Sequence, residues 1–396
     1  MTALWDDLVW RGLVQDHTDG LESAEGLTLY AGYDPTAPSL HVGNLQLVIT
    51  MRRFRDAGHR VIALAGGGTG LIGDPSGKST ERALQDEATV REWSARHEGQ
   101  MRRLLGEDTV FENNRRWLEP LTAIELLRDV GKHFPMGYML AKESVKTRVH
   151  GEGMTFTEFS YMLLQSYDYQ QLFDQHDCRL QIGGSDQWGN ITSGIELIRR
   201  TRGERVHGMT TPLLLRADGQ KFGKSEKGAV WLDPEMTSAY EFFQFFLNTA
   251  DDQVGILLRR LSLLPREEIE RLEAADPSTR AAQRALAEHL TTMAHGEEGL
   301  RAAEEQTAKL FVAEDVEWSL DDAQPVPLGD PPSWPDVFLR AELTSSLSEA
   351  RRLMKGGGLY VDDERLDEGW PPPRANPDVV VVLRKGKRER RPVRIV

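Results

Sequence analysis

Over roughly the first 225 residues, short apolar runs alternate with longer stretches that repeat at helical period. Leu27-Thr28-Leu29-Tyr30, Val61 to Ala65 and Arg179-Leu180-Gln181-Ile182 are β-rich. Leu45 to Gly58 sets Leu47, Met51 and Phe54 on one stripe before a glycine stop. This alternation predicts an α/β region with a parallel sheet and crossover helices. Glycines cluster just past two of the strands, at Gly66-Gly67-Gly68 and Gly183-Gly184, and ligands of open α/β sheets sit at the carboxyl ends of strands. From Thr237 to Leu310 the period is helical, with no strand signal. The aromatic run Tyr240 to Phe246 suggests a base-stacking platform, yet reads better as the core stripe of an amphipathic helix. Residues 321–336 hold five prolines and predict an extended linker. Beyond them come a helical pattern from Ser346 to Lys355, a Gly356-Gly357-Gly358 stop, and two strand-like runs, Leu359 to Val361 and Asp378 to Leu383.

Composition narrows the class. A chain of 396 residues exceeds what one core holds, about 250, so two or three domains are expected. No run approaches the roughly 20 apolar residues that span a bilayer, and the start, with Asp6 and Asp7, lacks the basic region of a secretory signal. A single cysteine, Cys178, excludes an intrachain disulfide framework and suits a reducing cytoplasm. The net charge of −14 argues against a protein that coats nucleic acid with its whole surface. It conceals a local excess, however: residues 384–396 carry seven Arg and Lys against one Glu, leaving a more acidic body.

Two glycine motifs invite a phosphate-binding reading and fail it. Gly68 to Gly73 matches G-x-G-x-x-G after a strand, but Asp74-Pro75-Ser76-Gly77 breaks the chain where a crossover helix should run. Gly73 to Ser79 looks like a Walker A loop with three residues between its glycines instead of four. Both segments read as a glycine-lined floor that lets a ligand approach the backbone. A better pair lies elsewhere. His41-Val42-Gly43-Asn44 enters the Leu45–Gly58 helix, where free N–H groups and the dipole favour an anion; helix capping is the plainer role for His41 and Asn44. Lys221-Phe222-Gly223-Lys224-Ser225 combines two lysines, a glycine and a hydroxyl, as a mobile clamp on polyphosphate would.

His41 to Asn44 resembles the HIGH signature of class I aminoacyl-tRNA synthetases, and Lys221 to Ser225 resembles their KMSKS loop. With Gln181-Ile182-Gly183-Gly184-Ser185-Asp186-Gln187-Trp188-Gly189-Asn190, the similarity is to bacterial tyrosyl-tRNA synthetases and covers essentially the whole chain. Two departures are Asn44, where the signature ends in His, and Ala31, where some relatives carry cysteine.

The resemblance implies a Rossmann-like catalytic domain over 1–228, with a dimer-forming insertion around 115–160. It further implies a helical domain over 229–320, the linker over 321–336, and a small α+β S4-like RNA-binding domain over 337–396. It implies tyrosine–tRNA ligation: L-tyrosine and ATP give tyrosyl-adenylate and pyrophosphate, and tyrosine then passes to the 3′ end of tRNA. ATP is a substrate accompanied by Mg²⁺; no resident metal or organic cofactor is expected, and the partners are tyrosine, ATP, tRNA and a second copy of the chain. Tyr161, Gln165 and Asp74 are implied to hold the substrate ammonium, Tyr30 and Asp168 its phenolic hydroxyl, with Gln187 near the carboxylate. Gly32, Asp34, Gly184 and Asp186 fall to the nucleotide. Thr36, His41 and Asn44 hold phosphates from one side; Lys221, Lys224 and Ser225 close from the other, with Lys78 and Arg82 in support at most.

Physical reading agrees for part of this. Thr155-Phe156-Thr157-Glu158 fits a capping box, and Tyr161, Gln165 and Asp168 then share one helical face. The alternative, a class I synthetase for another aromatic amino acid such as tryptophan, has no use for a carboxylate beside a phenol. For RNA, Arg351, Arg352, Lys355, Lys385, Lys387 and Arg388 are the candidate phosphate contacts.

Overall fold

The computed structural model describes residues 2–76, 85–142, 145–146, 153–215, 222–225, 228–311, 319–320, 322–386 and 389–396; of Lys224 and Ser225 it describes the backbone alone. Two compact units emerge, Met1–Glu298 and Gly299–Val396.

In the first unit, five strands, β1 (Thr28–Tyr33), β2 (Arg60–Ala65), β3 (Val110–Asn113), β4 (Cys178–Gly184) and β5 (His207–Thr211), form one sheet in the order 3-2-1-4-5. Every neighbouring pair is parallel. β2 is buried from Val61 to Ala65, as expected of a strand covered on both faces. Four long helices connect or flank the strands: α1 (Val42–Asp56), α2 (Glu87–Leu105), α3 (Phe156–His176) and α4 (Trp188–Arg202). Thr155 and Glu158 cap α3 reciprocally, as their spacing predicts. Tyr30, Ile62, Leu64, Tyr169, Leu172, Cys178 and Ile198 pack into one core between sheet and helices. The strand order reverses direction between β1 and β4, and it is outside such a switch point that open α/β sheets hold ligands. Gly32 lies near the carboxyl end of β1 and Gly184 ends β4.

Three shorter helices follow, α5 (Ala239–Leu247), α6 (Asp251–Leu261) and α7 (Arg266–Glu273), and α8 runs over Ala281–Phe311 with a break at Gly296, where φ is 75°. The aromatic run is a core stripe: Phe242, Phe243 and Phe246 are buried.

In the second unit a five-stranded sheet holds a core of Val326, Val337, Phe338, Leu343, Leu359, Leu383 and Val393. The proline-rich segment expected as a linker contributes to it. Residues Gln324–Val326 form an edge strand paired parallel to Glu389–Ile395, and Ser333 caps a helix over Trp334–Arg340. Proline is tolerated there because an edge strand leaves one row of N–H groups without ladder duties. The sequence alone did not separate an extended linker from an extended edge strand. Helix α9 (Leu347–Lys355) is capped by Ser346.

Candidate active site

A cavity of about 300 Å³ opens at the switch point. Tyr30, Gly32, Asp34, Thr36, His41, Asn44, Asp74, Tyr161, Gln165, Asp168, Gly184, Asp186 and Gln187 all line it. Thus four separate stretches of sequence converge on one space: the end of β1 with the entry to α1, the loop at Asp74 after β2, one face of α3, and the end of β4.

At its floor are two carboxylates joined by a directed network. Trp117 Nε1 donates to Asp168 Oδ1 at 2.7 Å, and Asn114 Nδ2 donates to Asp168 Oδ2 at 2.9 Å. The same Asn114 nitrogen donates to Thr69 Oγ1 at 2.9 Å, Thr69 donates to Asp34 Oδ1 at 2.7 Å, and Tyr161 donates to Asp34 Oδ2 at 2.8 Å. The Gly68 N–H fixes the Asn114 amide by donating to its oxygen at 2.7 Å. Burial pushes the Asp168 carboxyl up to about 7, against the two N–H donors that favour its charged form, with the nearby Asp34 charge adding to the rise. Tyr30 is 1% exposed, and its hydroxyl has no hydrogen-bond partner. Burial, and then the Asp168 charge, hold that phenol well above its ordinary value, so it stays neutral. A buried unpaired hydroxyl costs about 1–3 kcal/mol. Tyr30→Phe is therefore expected to raise the melting temperature of the free protein while weakening tyrosine binding; a melting temperature that falls would show that the hydroxyl is already satisfied.

A second polar group faces the other side. Gln187 Nε2 donates to Asp74 Oδ2 at 2.6 Å, and Asn190 Nδ2 donates to Gln165 Oε1 at 2.9 Å and to Gln187 Oε1 at 3.1 Å. Gly66 is essential to the Asp34–Thr69 pair of the floor, since a Cβ there would lie 2.0 Å from Asp34 Oδ1 and 2.7 Å from Thr69 Oγ1. At Gly32 a Cβ would meet nothing within 4 Å; this glycine keeps open the space a ligand would fill.

The entry to α1 resolves the two roles weighed for His41 and Asn44. His41 Nδ1 accepts from the Gly43 N–H at 3.0 Å, and Asn44 Oδ1 accepts from the His41 N–H at 3.0 Å, a reciprocal cap. The cap engages Nδ1 of His41 and Oδ1 of Asn44. With Nδ1 accepting, a neutral ring carries its proton on Nε2. Phe222 and Gly223 lie against this entry: a Cβ on Gly223 would meet Val42 Cγ2 at 2.4 Å. Phe222 stacks edge-to-face on Phe245, centroids 5.3 Å apart. The backbone of 224–225 pairs with 228–229 as a short hairpin. Lys221, Lys78 and Arg82 fall outside the described residues, as do Lys387 and Arg388. Ala31 is fully buried in β1.

In the second unit, Arg351, Arg352 and Lys355 are exposed on α9. Lys385 is partly committed, its Nζ 3.2 Å from Glu349. Arg384 and Arg390 both pair with Asp363, and Arg384 lies 3.6 Å over the Tyr360 ring.

Sequence reading missed Asn114, Trp117 and Thr69, and gave Asn190 no role. The available signal was Val110-Phe111-Glu112-Asn113-Asn114, a short apolar run ending in two amides. With only Val110 and Phe111 apolar, the segment is too short to register as a strand, so the sequence does not place its carboxyl end at the site.

A parallel sheet whose switch point carries a glycine-lined cavity, a helix N-terminus entered through His41 to Asn44, and the Phe222–Ser225 hairpin beside it define a class I aminoacyl-tRNA synthetase core. The family model for class I tRNA synthetases (W and Y) matches residues 22–312. The tyrosine–tRNA ligase of Bacillus caldotenax is 50% identical over 384 residues, covering 91% of each chain, and that of Roseiflexus castenholzii is 45% identical over the full length of both. The C-terminally truncated mitochondrial tyrosyl-tRNA synthetase of Aspergillus nidulans is 32% identical, with a TM-score of 0.69, covering 76% of this chain and 92% of its own. The chain belongs to the tyrosine–tRNA ligase family of class I aminoacyl-tRNA synthetases.

Proposed function

We propose that the switch-point cavity activates L-tyrosine with ATP and passes the tyrosyl group to the 3′ end of tRNA. The observation that carries this reading is the pairing, on one cavity floor, of an unpaired buried phenol, Tyr30, with a buried carboxylate, Asp168, held by two donors. Both await a hydroxyl. Phenylalanine would leave them unpaired, which is a penalty a hydroxyl-bearing side chain avoids; tyrosyl synthetases are themselves the familiar illustration of this argument. Tyr161, Gln165 and Asp74 are assigned to the ammonium group, and Gln187 to the carboxylate side. Gly32, Asp34, Gly184 and Asp186 are assigned to the nucleotide. Asp34 already accepts from Tyr161 and Thr69, so it links the amino-acid and nucleotide sides.

The tyrosine carboxylate is ionised at neutral pH and needs no general base. It attacks the α-phosphorus in line, forming a C–O–P bond as pyrophosphate leaves with the electron pair. Thr36, His41 Nε2–H, Asn44 and the N-terminus of α1 stabilise charge on the phosphates from one side, and Lys221, Lys224 and Ser225 from the other. Mg²⁺ enters on the ATP phosphates. The 3′-terminal ribose hydroxyl of tRNA then attacks the tyrosyl carbonyl, and AMP leaves.

We also assign tRNA contact to the second unit, through Arg351, Arg352 and Lys355, exposed on α9, and through Lys385, Lys387 and Arg388 of the basic C-terminal run. We assign homodimer formation to residues 115–160, where Ile124, Leu127, Met136 and Phe156 are 56–75% exposed. A catalytic domain over 1–228 and a cytoplasmic location are assigned as expected from the sequence, while residues 324–326 belong to the second unit's sheet and not to a linker. Among the described residues no helix is long and apolar enough to cross a membrane. Tyrosine-dependent ATP–pyrophosphate exchange tests the central claim; exchange driven by tryptophan instead, or none with any amino acid, would overturn it.

A further inference from the structure

The segment that carries the phosphate-side groups is short and irregular, running from the end of β1 through Pro35 and Pro38 to the cap of α1 at His41. Such a segment needs its backbone polar groups satisfied by something outside itself. Helix α2 supplies that, from one face, through two side chains three residues apart. His97 Nε2 donates to the Ala37 carbonyl at 2.9 Å. Gln100 takes the other half: its Oε1 accepts from the Leu40 N–H at 2.9 Å, and its Nε2 donates to Ser39 Oγ at 2.9 Å. Ser39 Oγ in turn donates to the Leu40 carbonyl at 2.7 Å and accepts from the Asp233 N–H at 3.2 Å. His97, Gln100 and Ser39 are 3%, 4% and 2% exposed, so water does not compete for these bonds.

The clamp sits between the two residues whose placement matters for ATP. Thr36 precedes it directly and His41 follows it directly, and His97 itself lines the cavity. The imidazole is a poor choice for filling space alone. Its Nδ1 is buried without a hydrogen-bond partner, a cost that a leucine of similar bulk would avoid. Burial also lowers the ring to about 4, so near neutrality it is an uncharged donor with its proton on Nε2. That proton's acceptor is the Ala37 carbonyl.

We propose that His97, together with Gln100, is a positioning residue for adenylate formation, fixing the Ala37–Leu40 backbone so that Thr36 and His41 meet the ATP phosphates. It touches neither tyrosine nor the tyrosine pocket network, so its effect falls on one half of the reaction. This inference rests on the reading of the cavity as an ATP site.

The test compares the wild type, His97→Leu and His97→Gln by ATP–pyrophosphate exchange, with active sites counted by tyrosyl-adenylate burst titration. Glutamine places an amide N–H near the position of Nε2. For His97→Leu the rate per active site is expected to fall about 10-fold, since misplacing reacting groups by an ångström or less is worth one to two decades. The tyrosine KM stays within about twofold, and His97→Gln recovers to within about threefold of wild type. A loss only in the number of active sites, with the rate per site unchanged, would overturn the proposal and leave His97 a folding residue. So would equal losses in the leucine and glutamine variants, or a tyrosine KM that rises in step with the loss of rate. An absence of exchange in the wild type would instead remove the reading of the cavity itself.

Discussion

Asp168→Ala is expected to reduce discrimination between tyrosine and phenylalanine by roughly 10- to 100-fold in kcat/KM, while the ATP KM stays within about twofold. The argument begins with what the carboxylate does in the free protein. Its two oxygens accept from Trp117 and Asn114, and neither bond points to a ligand. These donors hold the group in place; its remaining lone pairs are available to a phenolic O–H. Alanine removes that acceptor and frees two donors. The Trp117 and Asn114 N–H groups then need new partners, so tyrosine loses its preferred contact and phenylalanine loses its penalty. Competing-substrate pyrophosphate exchange measures the ratio, and unchanged discrimination would remove Asp168 from the pocket.

The same residue gives a pH dependence. Asp168 is raised to about 7 in the folded protein, from an unfolded value near 3.9. Between those values the unfolded chain has released a proton that the folded chain keeps. This group's contribution to stability is therefore full below about 4 and is lost as pH rises toward 7. Binding moves the other way, because the phenolic O–H needs an ionised acceptor. The wild-type tyrosine KM is thus expected to fall as pH rises from 6 to 8, and Asp168→Ala should flatten that profile. A site that is tightest for tyrosine where the carboxylate is least comfortable trades stability for recognition.

Much of this was legible beforehand for a physical reason. Tyr161, Gln165 and Asp168 sit at helical spacing, and once Thr155 caps the helix their common face follows from geometry. Gly32 and Gly184 follow strands whose apolar runs are plain in the sequence. What stayed hidden depends on distant pairing. Asn114 follows a four-residue strand, Val110–Asn113, and Trp117 lies in the one-turn helix Arg115–Leu118, both elements too short to announce themselves by period. His97 and Gln100 look like polar positions of an amphipathic helix, and only the fold brings them against Ala37 and Leu40. The strand at Gln324–Val326 was hidden by its own prolines, which report extended backbone but not what it pairs with.

His41→Ser is expected to lower the rate of adenylate formation roughly 100- to 1,000-fold, the usual loss when one preorganised donor to a developing oxyanion is removed. Serine is chosen because His41 has two functions that alanine would remove together. As N-cap of α1 its Nδ1 accepts from the Gly43 N–H, and loss of a cap costs about 0.5–2 kcal/mol. Serine is among the best caps and can keep that bond, so stability should change by less than about 1 kcal/mol. It has no counterpart to the ring's Nε2–H, the donor assigned here to the phosphates. His41→Ala should then show the same loss of rate with a lower melting temperature, and the difference between the two variants isolates the cap. Tyrosine affinity, measured by equilibrium binding without ATP, should match the wild type in both, because Asp168 and Tyr161 lie in a separate network and Tyr30 is buried in the sheet core apart from His41. A serine variant that makes adenylate at the wild-type rate would reduce His41 to a cap and move the phosphate-side chemistry onto Thr36, Asn44 and the lysine loop.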